Sequence, residues 1–399
     1  LPNQWLWDIV DEFIYQYQSF SLFRDRVVRA QQAEDGDAEE DIHQLFAVFR
    51  DHPQVWNTYA VLNILYSLVS KSNIQQQLRA LKAGQDVAHV AGEFGHANIY
   101  KMLGYFGLVG LVRLHCIMGD YALALNTLAD VDLTKRVAMA RATSCHVSTY
   151  YYVGFSYMML GRYADAVRTF SHILIFINRA KQYNPRTYQY DQMNKLADKM
   201  HALLTICISL APMRLDESIH SQIRDKFTES LTRMQRADLD ALQAYNELFI
   251  YACPRYIAPM AVGLDSDTPV PDRSAFQARI FVSNVERQLR IPILRSFLKL
   301  YTTLGVERLA SFLEMEEDEL MTLLLLFKQT TRQTKWNEGL LLDEGERTLV
   351  SDLDCSINVD TVIIAESKMG RRFGDWFLRN SSKFHDLQVS VQKTAAKAQ

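Results

Sequence analysis

Five cysteines are scattered over the 399 residues, Cys116, Cys145, Cys207, Cys253 and Cys355. An odd, dispersed set supports neither a disulfide framework nor a zinc site, and points to a reducing compartment. No stretch approaches the ~20 apolar residues of a membrane span, and no basic-then-apolar signal opens the chain, so no membrane is expected. A basic excess is missing too: 43 Lys and Arg against 46 Asp and Glu give −3, which argues against a general nucleic-acid binder. Also lacking are His-Glu-x-x-His, His-x-His, Gly-x-Ser-x-Gly and a Walker loop. His115-Cys116 and Cys145-His146 are sequence neighbours whose side chains diverge by about 100° on a helix, so neither pair forms one site. No catalytic, cofactor-binding or metal-ligating residue is assigned, and the chain is not expected to be an enzyme.

What is present is helix. Hydrophobic residues make up 48%, enough for large buried faces, and the length allows two or three domains. Proline is scarce and sits mostly where helices should stop, at Pro53, Pro185, Pro212 and Pro254. Near the start, Trp5, Ile9, Phe13, Tyr17 and Phe20 fall at spacings of three and four, a packing stripe. The segment 31–41 carries six acids in eleven residues and reads as a solvated loop. Gly104, Gly107 and Gly110 recur every three residues. Without a preceding strand or a Gly-Lys-Ser/Thr ending they read as close helix packing rather than a phosphate loop.

A repeat organises the middle of the chain. Met118-Gly119-Asp120-Tyr121-Ala122-Leu123-Ala124-Leu125 returns, 42 residues on, as Leu160-Gly161-Arg162-Tyr163-Ala164-Asp165-Ala166-Val167. In both copies a helix runs into glycine, a short turn, tyrosine and a second helix whose alanine permits close approach. This is a tetratricopeptide-like hairpin; because such repeats have a period of ~34, the array is expected to be irregular, with longer helices. Stacked hairpins bury their faces against one another and make a solenoid that scaffolds or binds.

Past a break at 262–274 the pattern changes. Ile293, Phe297, Leu300 and Tyr301 suggest one stripe, Val306, Leu309, Ala310 and Leu313 a second, and Leu320, Leu323, Leu324 and Phe327 a third, on a helix expected to be wrapped by neighbours. After a connection at 328–352, residues 353–366 read as strand, tight turn, strand, with a short third strand possible near 302–305. That order is a winged helix. Its third helix opens with Glu316, Glu317, Asp318 and Glu319, which suit the positive end of the helix dipole and would repel phosphate, so groove reading is not expected. The division is 1–275 for the helical-repeat body, 276–368 for the winged helix and 369–399 for a C-terminal helix and tail. Residues 371–399 hold six basic side chains against two acidic ones, +4. Arg371, Arg372, Arg379 and Lys383 make either a solvated basic face or an RNA or partner contact; Arg287, Arg290, Arg295 and Lys299 would add to an RNA surface.

A helical-repeat body merging into a winged helix is similar to the PCI domain of the proteasome lid, the COP9 signalosome and translation initiation factor. More narrowly, LPNQWLWDIVDEFIYQYQSF, KSNI, KMLGYF, STYYYVGFSYM, PMRLDESIH and RSFLKLYTTL resemble, in order and over nearly the whole chain, the subunit L family of eukaryotic translation initiation factor 3. That family is longer at its N-terminus, in keeping with a first residue that is not Met. The chain departs from it in the acidic segment and at Glu314-Met315, where the family has a better helix cap. The resemblance implies a non-catalytic, cytoplasmic scaffold without cofactor. It implies assembly beside other PCI subunits, K and E nearest, and a place on the small (40S) ribosomal subunit in the 43S preinitiation complex. An RNA-binding module, or a PCI subunit of another complex, is the alternative. On this reading the first hairpin strand is an open edge at which Cys355, Ser356, Ile357 and Asn358 meet the corresponding strand of another PCI subunit.

Overall fold

The computed structural model describes residues 2–32, 40–133, 142–181, 188–236, 238–259, 263–264, 270–337 and 341–398. Most of the acidic segment at 31–41, the break at Pro185 and part of the break at 262–274 lie outside them. Helix takes 73% of the chain, giving a mainly α solenoid with a C-terminal winged-helix-like region. Two compact units form: Leu1–Arg287 with Thr334–Glu346, and Gln288–Gln333 with Arg347–Gln399.

The first unit opens with α1 (Asn3–Gln32), which buries Leu6, Trp7, Val10, Ile14 and Tyr17. Trp5 and Ile9, placed on the packing stripe by their spacing, are each 60% exposed. Two stripes on this helix satisfy i+3/i+4 spacing, and the position of the neighbouring helices selected the other. After α2 (Glu40–Asp51) come α3 (Thr58–Ser72), α4 (Ile74–Lys82), the single turn α5 (Gly92–Gly95) and the central α6 (Asn98–Met118). The three glycines of α6 do allow close packing: a Cβ at Gly107 would lie 3.3 Å from Val69 Cγ2, and one at Gly110 would lie 2.8 Å from Ile14 Cδ1. By length and composition α6 could cross a membrane, contrary to the expectation that no stretch comes close. The window that passes this test is 83% buried inside the protein, and a helix wrapped on all sides must be apolar all round.

Both copies of the repeat end their first helix in the same way. Gly119 (φ 90°) and Gly161 (φ 73°) are left-handed. The next N–H closes a six-residue turn, Asp120 to the His115 carbonyl and Arg162 to the Tyr157 carbonyl, each at 2.9 Å. The hairpins are α6 with α7 (Tyr121–Thr127) and α8 (Thr143–Met159) with α9 (Tyr163–Lys181), and Ala124 and Ala166 are fully buried. The unit continues through α10 (Tyr188–Leu210), α11 (Glu217–Gln235), α12 (Leu239–Ala252) and α13 (Arg273–Gln288). Phe281 of α13 stacks on Phe249 of α12 at 4.5 Å, and Gln277 accepts from the Tyr121 hydroxyl at 3.1 Å. Apolar stacking thus draws α13, up to Arg287, into the helical unit, whereas the sequence-based division falls after 275.

The second unit contains α14 (Ile291–Leu298), β1 (Thr303–Gly305), α15 (Val306–Leu313), α16 (Glu317–Thr331), β4 (Leu353–Asn358), β5 (Thr361–Glu366) and α17 (Ser367–Ala398); β2 (Arg332–Lys335) and β3 (Glu346–Leu349), between α16 and β4, are divided, since Thr334–Glu346 belongs to the first unit. Its core joins Leu294, Leu309, Leu324, Phe327, Leu353 and Val362. Three expectations change here. The buried stripe of α14 is Ile291, Leu294 and Leu298, while Leu300 is 72% exposed. Leu325 of α16 is 58% exposed, so that helix is not wrapped throughout. The connection at 328–352 contains the paired strands β2 and β3, whose Arg-Gln-Thr-Lys and Glu-Arg-Thr-Leu sequences lack apolar alternation.

Candidate assembly interface

In the three-stranded sheet β5 lies in the centre, with β1 and β4 outside it. The β4–β5 register pairs Cys355 with Ile364, Ser356 with Ile363, Ile357 with Val362 and Asn358 with Thr361. On the β1 side, Ile364 N–H donates to the Thr302 carbonyl at 2.8 Å and Val306 N–H to the Asp360 carbonyl at 2.9 Å. Alternation along an antiparallel ladder then turns the backbone of Thr361, Ile363 and Ala365 toward β4. Their partners Asn358, Ser356 and Asp354 answer inward, so the N–H and C=O groups of Cys355 and Ile357 point away from the sheet. The first hairpin strand is therefore an edge.

Side chains on this edge alternate the other way. Leu353 and Cys355 are buried and Ile357 is half-buried against the helices, while Ser356 and Asn358 are exposed. That period of two assigns the Cys355 and Ile357 side chains to the core, so they lend the edge only their backbone. Burial pushes the Cys355 thiol up, and the Asp354 carboxylate adds to the shift. Asp354, which sequence reasoning overlooked, accepts from the Cys355 N–H at 2.9 Å and blunts the near end of the edge. A charge between Leu353 and Cys355, within the alternating run, was the available signal.

The basic residues separate into two sets. Arg295 hydrogen-bonds to Asp352, which also has Lys299 3.5 Å away. Although its partial burial pushes the Asp352 carboxyl up, Arg295 and Lys299 hold it below the usual range. Two of the four basic residues at α14 are therefore engaged with a carboxylate. On α17, Arg379 and Lys383 are exposed, and the side chains of Arg371 and Arg372 lie outside the described ones. The same helix leaves Trp376, Phe377, Phe384, Leu387 and Val391 between 56% and 71% exposed, at the three-and-four spacing of an apolar face. Glu316, Glu317, Asp318 and Glu319 are all exposed at the start of α16. Among the described residues no group of three or more His, Cys, Asp and Glu could hold a metal ion.

Known proteins match this chain from end to end. Residues 1–384 match the family described as "Paf67: RNA polymerase I-associated factor PAF67". Curated proteins named eukaryotic translation initiation factor 3 subunit L are 48% identical in Mycosarcoma maydis over 98% of this chain, and 44% identical in Xenopus laevis over 100% of it. The Neurospora crassa protein of that name is 46% identical over 95%. The chain belongs to the subunit L family of eukaryotic translation initiation factor 3. It spans 58%, 69% and 78% of those three relatives, so the subunit L proteins it matches are longer than the residues described.

Proposed function

We propose that the chain is a non-catalytic scaffold subunit of cytoplasmic initiation factor 3, joining other PCI subunits and supporting recruitment of mRNA and initiator tRNA to the 40S ribosomal subunit. Subunits K and E are its nearest partners. The observation that carries this reading is the edge of β4: an outward-pointing Ile357 backbone, flanked by the exposed Ser356 and Asn358 side chains. An incoming strand gains main-chain hydrogen bonds there, and the outward side chains select among partners. The apolar face of α17 supports the same reading, since a helix with that stripe is stable when other helices cover it. A second reading, RNA contact, rests on Arg379 and Lys383 with Arg371 and Arg372.

The test is co-purification of the full subunit with K and E after Ser356→Lys and Asn358→Lys. Both positions face solvent, so the melting temperature should stay nearly unchanged while one partner is lost. A second variant, Ile357→Pro, removes the outward N–H itself. Retention of every partner by the folded variants would move the interface to α17 or the helical unit.

A further inference from the structure

The helical unit carries a basic cleft unconnected with the wing edge. Leu22, Arg26, Arg29, Ala30 and Arg255 line an open depression of about 590 Å³. Leu22, Arg26 and Arg29 follow one another at i, i+4 and i+7, on one stripe of α1. Arg255 comes from the segment after α12, where it is exposed between the buried Cys253 and Pro254 on one side and Tyr256, Ile257 and Ala258 on the other. Its backbone is fixed on both sides. Gln18 donates to the Arg255 carbonyl at 2.6 Å, and Ile257 N–H donates to the Ile117 carbonyl at 3.1 Å. The guanidinium is thus presented by a rigid support.

The three arginines differ in what the fold asks of them. Arg29 lies in the last turn of α1 and donates to the Asp25 carbonyl at 3.3 Å, a use explained by the helix C-terminus. Arg26 and Arg255 are exposed and make no hydrogen bond or ion pair with any described residue through their side chains. The nearest carboxylate on this part of α1, Asp25, is buried and faces Arg24, Arg273 and Arg29. Lys199 adds to the positive field around Arg255. Like charges repel, so two unpaired guanidiniums converging on a depression beside further cations cost stability unless an anion visits.

From this we infer that the cleft between α1 and the segment after α12 binds an acidic peptide segment of a protein partner, with Arg26 and Arg255 clamping its carboxylates. Guanidinium forks match carboxylate geometry bidentately. Leu22 and Ala30 supply an apolar floor for a neighbouring aliphatic side chain. Nucleic acid fits less well: among the described residues no aromatic ring lines the cleft for base stacking, a run of phosphates needs a longer basic track, and the chain's net charge is −3.

Binding of a fluorescent peptide Glu-Glu-Leu-Glu-Glu to the full chain tests this, with the glutamine analogue and oligouridine as parallel probes. The acidic peptide should bind, the glutamine analogue should not, and Arg26→Glu with Arg255→Glu should weaken binding by about tenfold or more, as loss of two charge-assisted contacts implies. The exposed side chains leave folding intact, which circular dichroism verifies. The lysine variants, Arg26→Lys with Arg255→Lys, keep the charge and lose the fork; they should lose a few-fold, about the difference between a bidentate and a point-charge contact. Equal binding by wild type and the glutamate variants would overturn the inference, as would tighter binding of oligouridine. So would peptide binding that emerges only after Glu34, Asp35, Asp37 and Glu39 are neutralised, because the chain's own acidic segment would then be the occupant. None of these outcomes bears on the wing edge, which lies in the other unit.

Discussion

Arg162 donates twice to Oδ2 of Asp165, from Nε at 3.0 Å and from Nη2 at 2.8 Å, with the two side chains 8% and 1% exposed. The pair holds the segment Thr334–Glu346 on the turn of the second repeat, within the helical unit. Asp165 accepts from the Trp336 N–H at 3.0 Å. Arg162 reaches the carbonyls of Leu342, Asp343 and Glu344 at 3.3, 2.8 and 3.0 Å. In the first copy Asp120 and Leu123 stand at these positions, so the second hairpin alone gained the clasp.

Replacing Arg162 with Met should destabilise the helical unit by on the order of 3 kcal/mol, because it leaves the buried Asp165 carboxylate with only the half-exposed Arg168, 3.4 Å away, as its cation and removes the donor to three carbonyls. Urea denaturation measures the loss. The double change Arg162→Met with Asp165→Leu should recover a large part of it, since no buried charge is then left unpaired.

Glu314 ends α15 in a left-handed conformation, φ 52° and ψ 49°, where Met315 N–H closes onto the Ala310 carbonyl at 3.2 Å. A side chain with a Cβ pays for this geometry and glycine does not. Glu314→Gly should therefore raise stability by about 0.5–1 kcal/mol, seen as a higher melting temperature of the winged-helix unit. A lower melting temperature would show that the Glu314 side chain holds something of its own.

Acid should weaken the helical unit through four histidines whose charged form the fold solvates poorly. Burial, with the charge of His172 as a second cause, lowers His146 to about 4, and burial also lowers His115, His172 and His201. With folded values below the unfolded value near 6.5, the unfolded chain takes up protons first as pH falls. The stabilising share of neutral His146 is present above pH ~6.5 and is lost as pH falls through about 4, on the order of 3 kcal/mol if fully expressed. The ring of His146 packs edge-on against Tyr150 and Phe176, so His146→Phe keeps the shape and should flatten the dependence of melting temperature on pH over that window.

RNA binding by the isolated chain should be weak and should vanish by physiological salt. Arg295 and Lys299 are occupied by Asp352, which leaves few cations to release counterions. A filter-binding series over salt gives the slope. Submicromolar binding at physiological salt, abolished by reversing Arg371, Arg372 and Arg379, would instead favour the RNA reading.

The sequence by itself determined the helical class, the two glycine-closed hairpins, the order of the winged helix and the awkward cap at Glu314. These are local: periodicity, a left-handed residue and a turn are decided within about ten residues of chain. Tertiary structure decided which of two equivalent stripes on α1 faces inward, that α13 stacks on α12, and that two polar tetrapeptides pair as β2 and β3. It also decided that Cys355 lends the β4 edge its backbone while Ser356 and Asn358 supply the side chains. In each case the deciding contact joins residues far apart in sequence, as Phe249 with Phe281 or Arg162 with the carbonyl of Glu344, and local propensity is silent about which distant surface a face will meet.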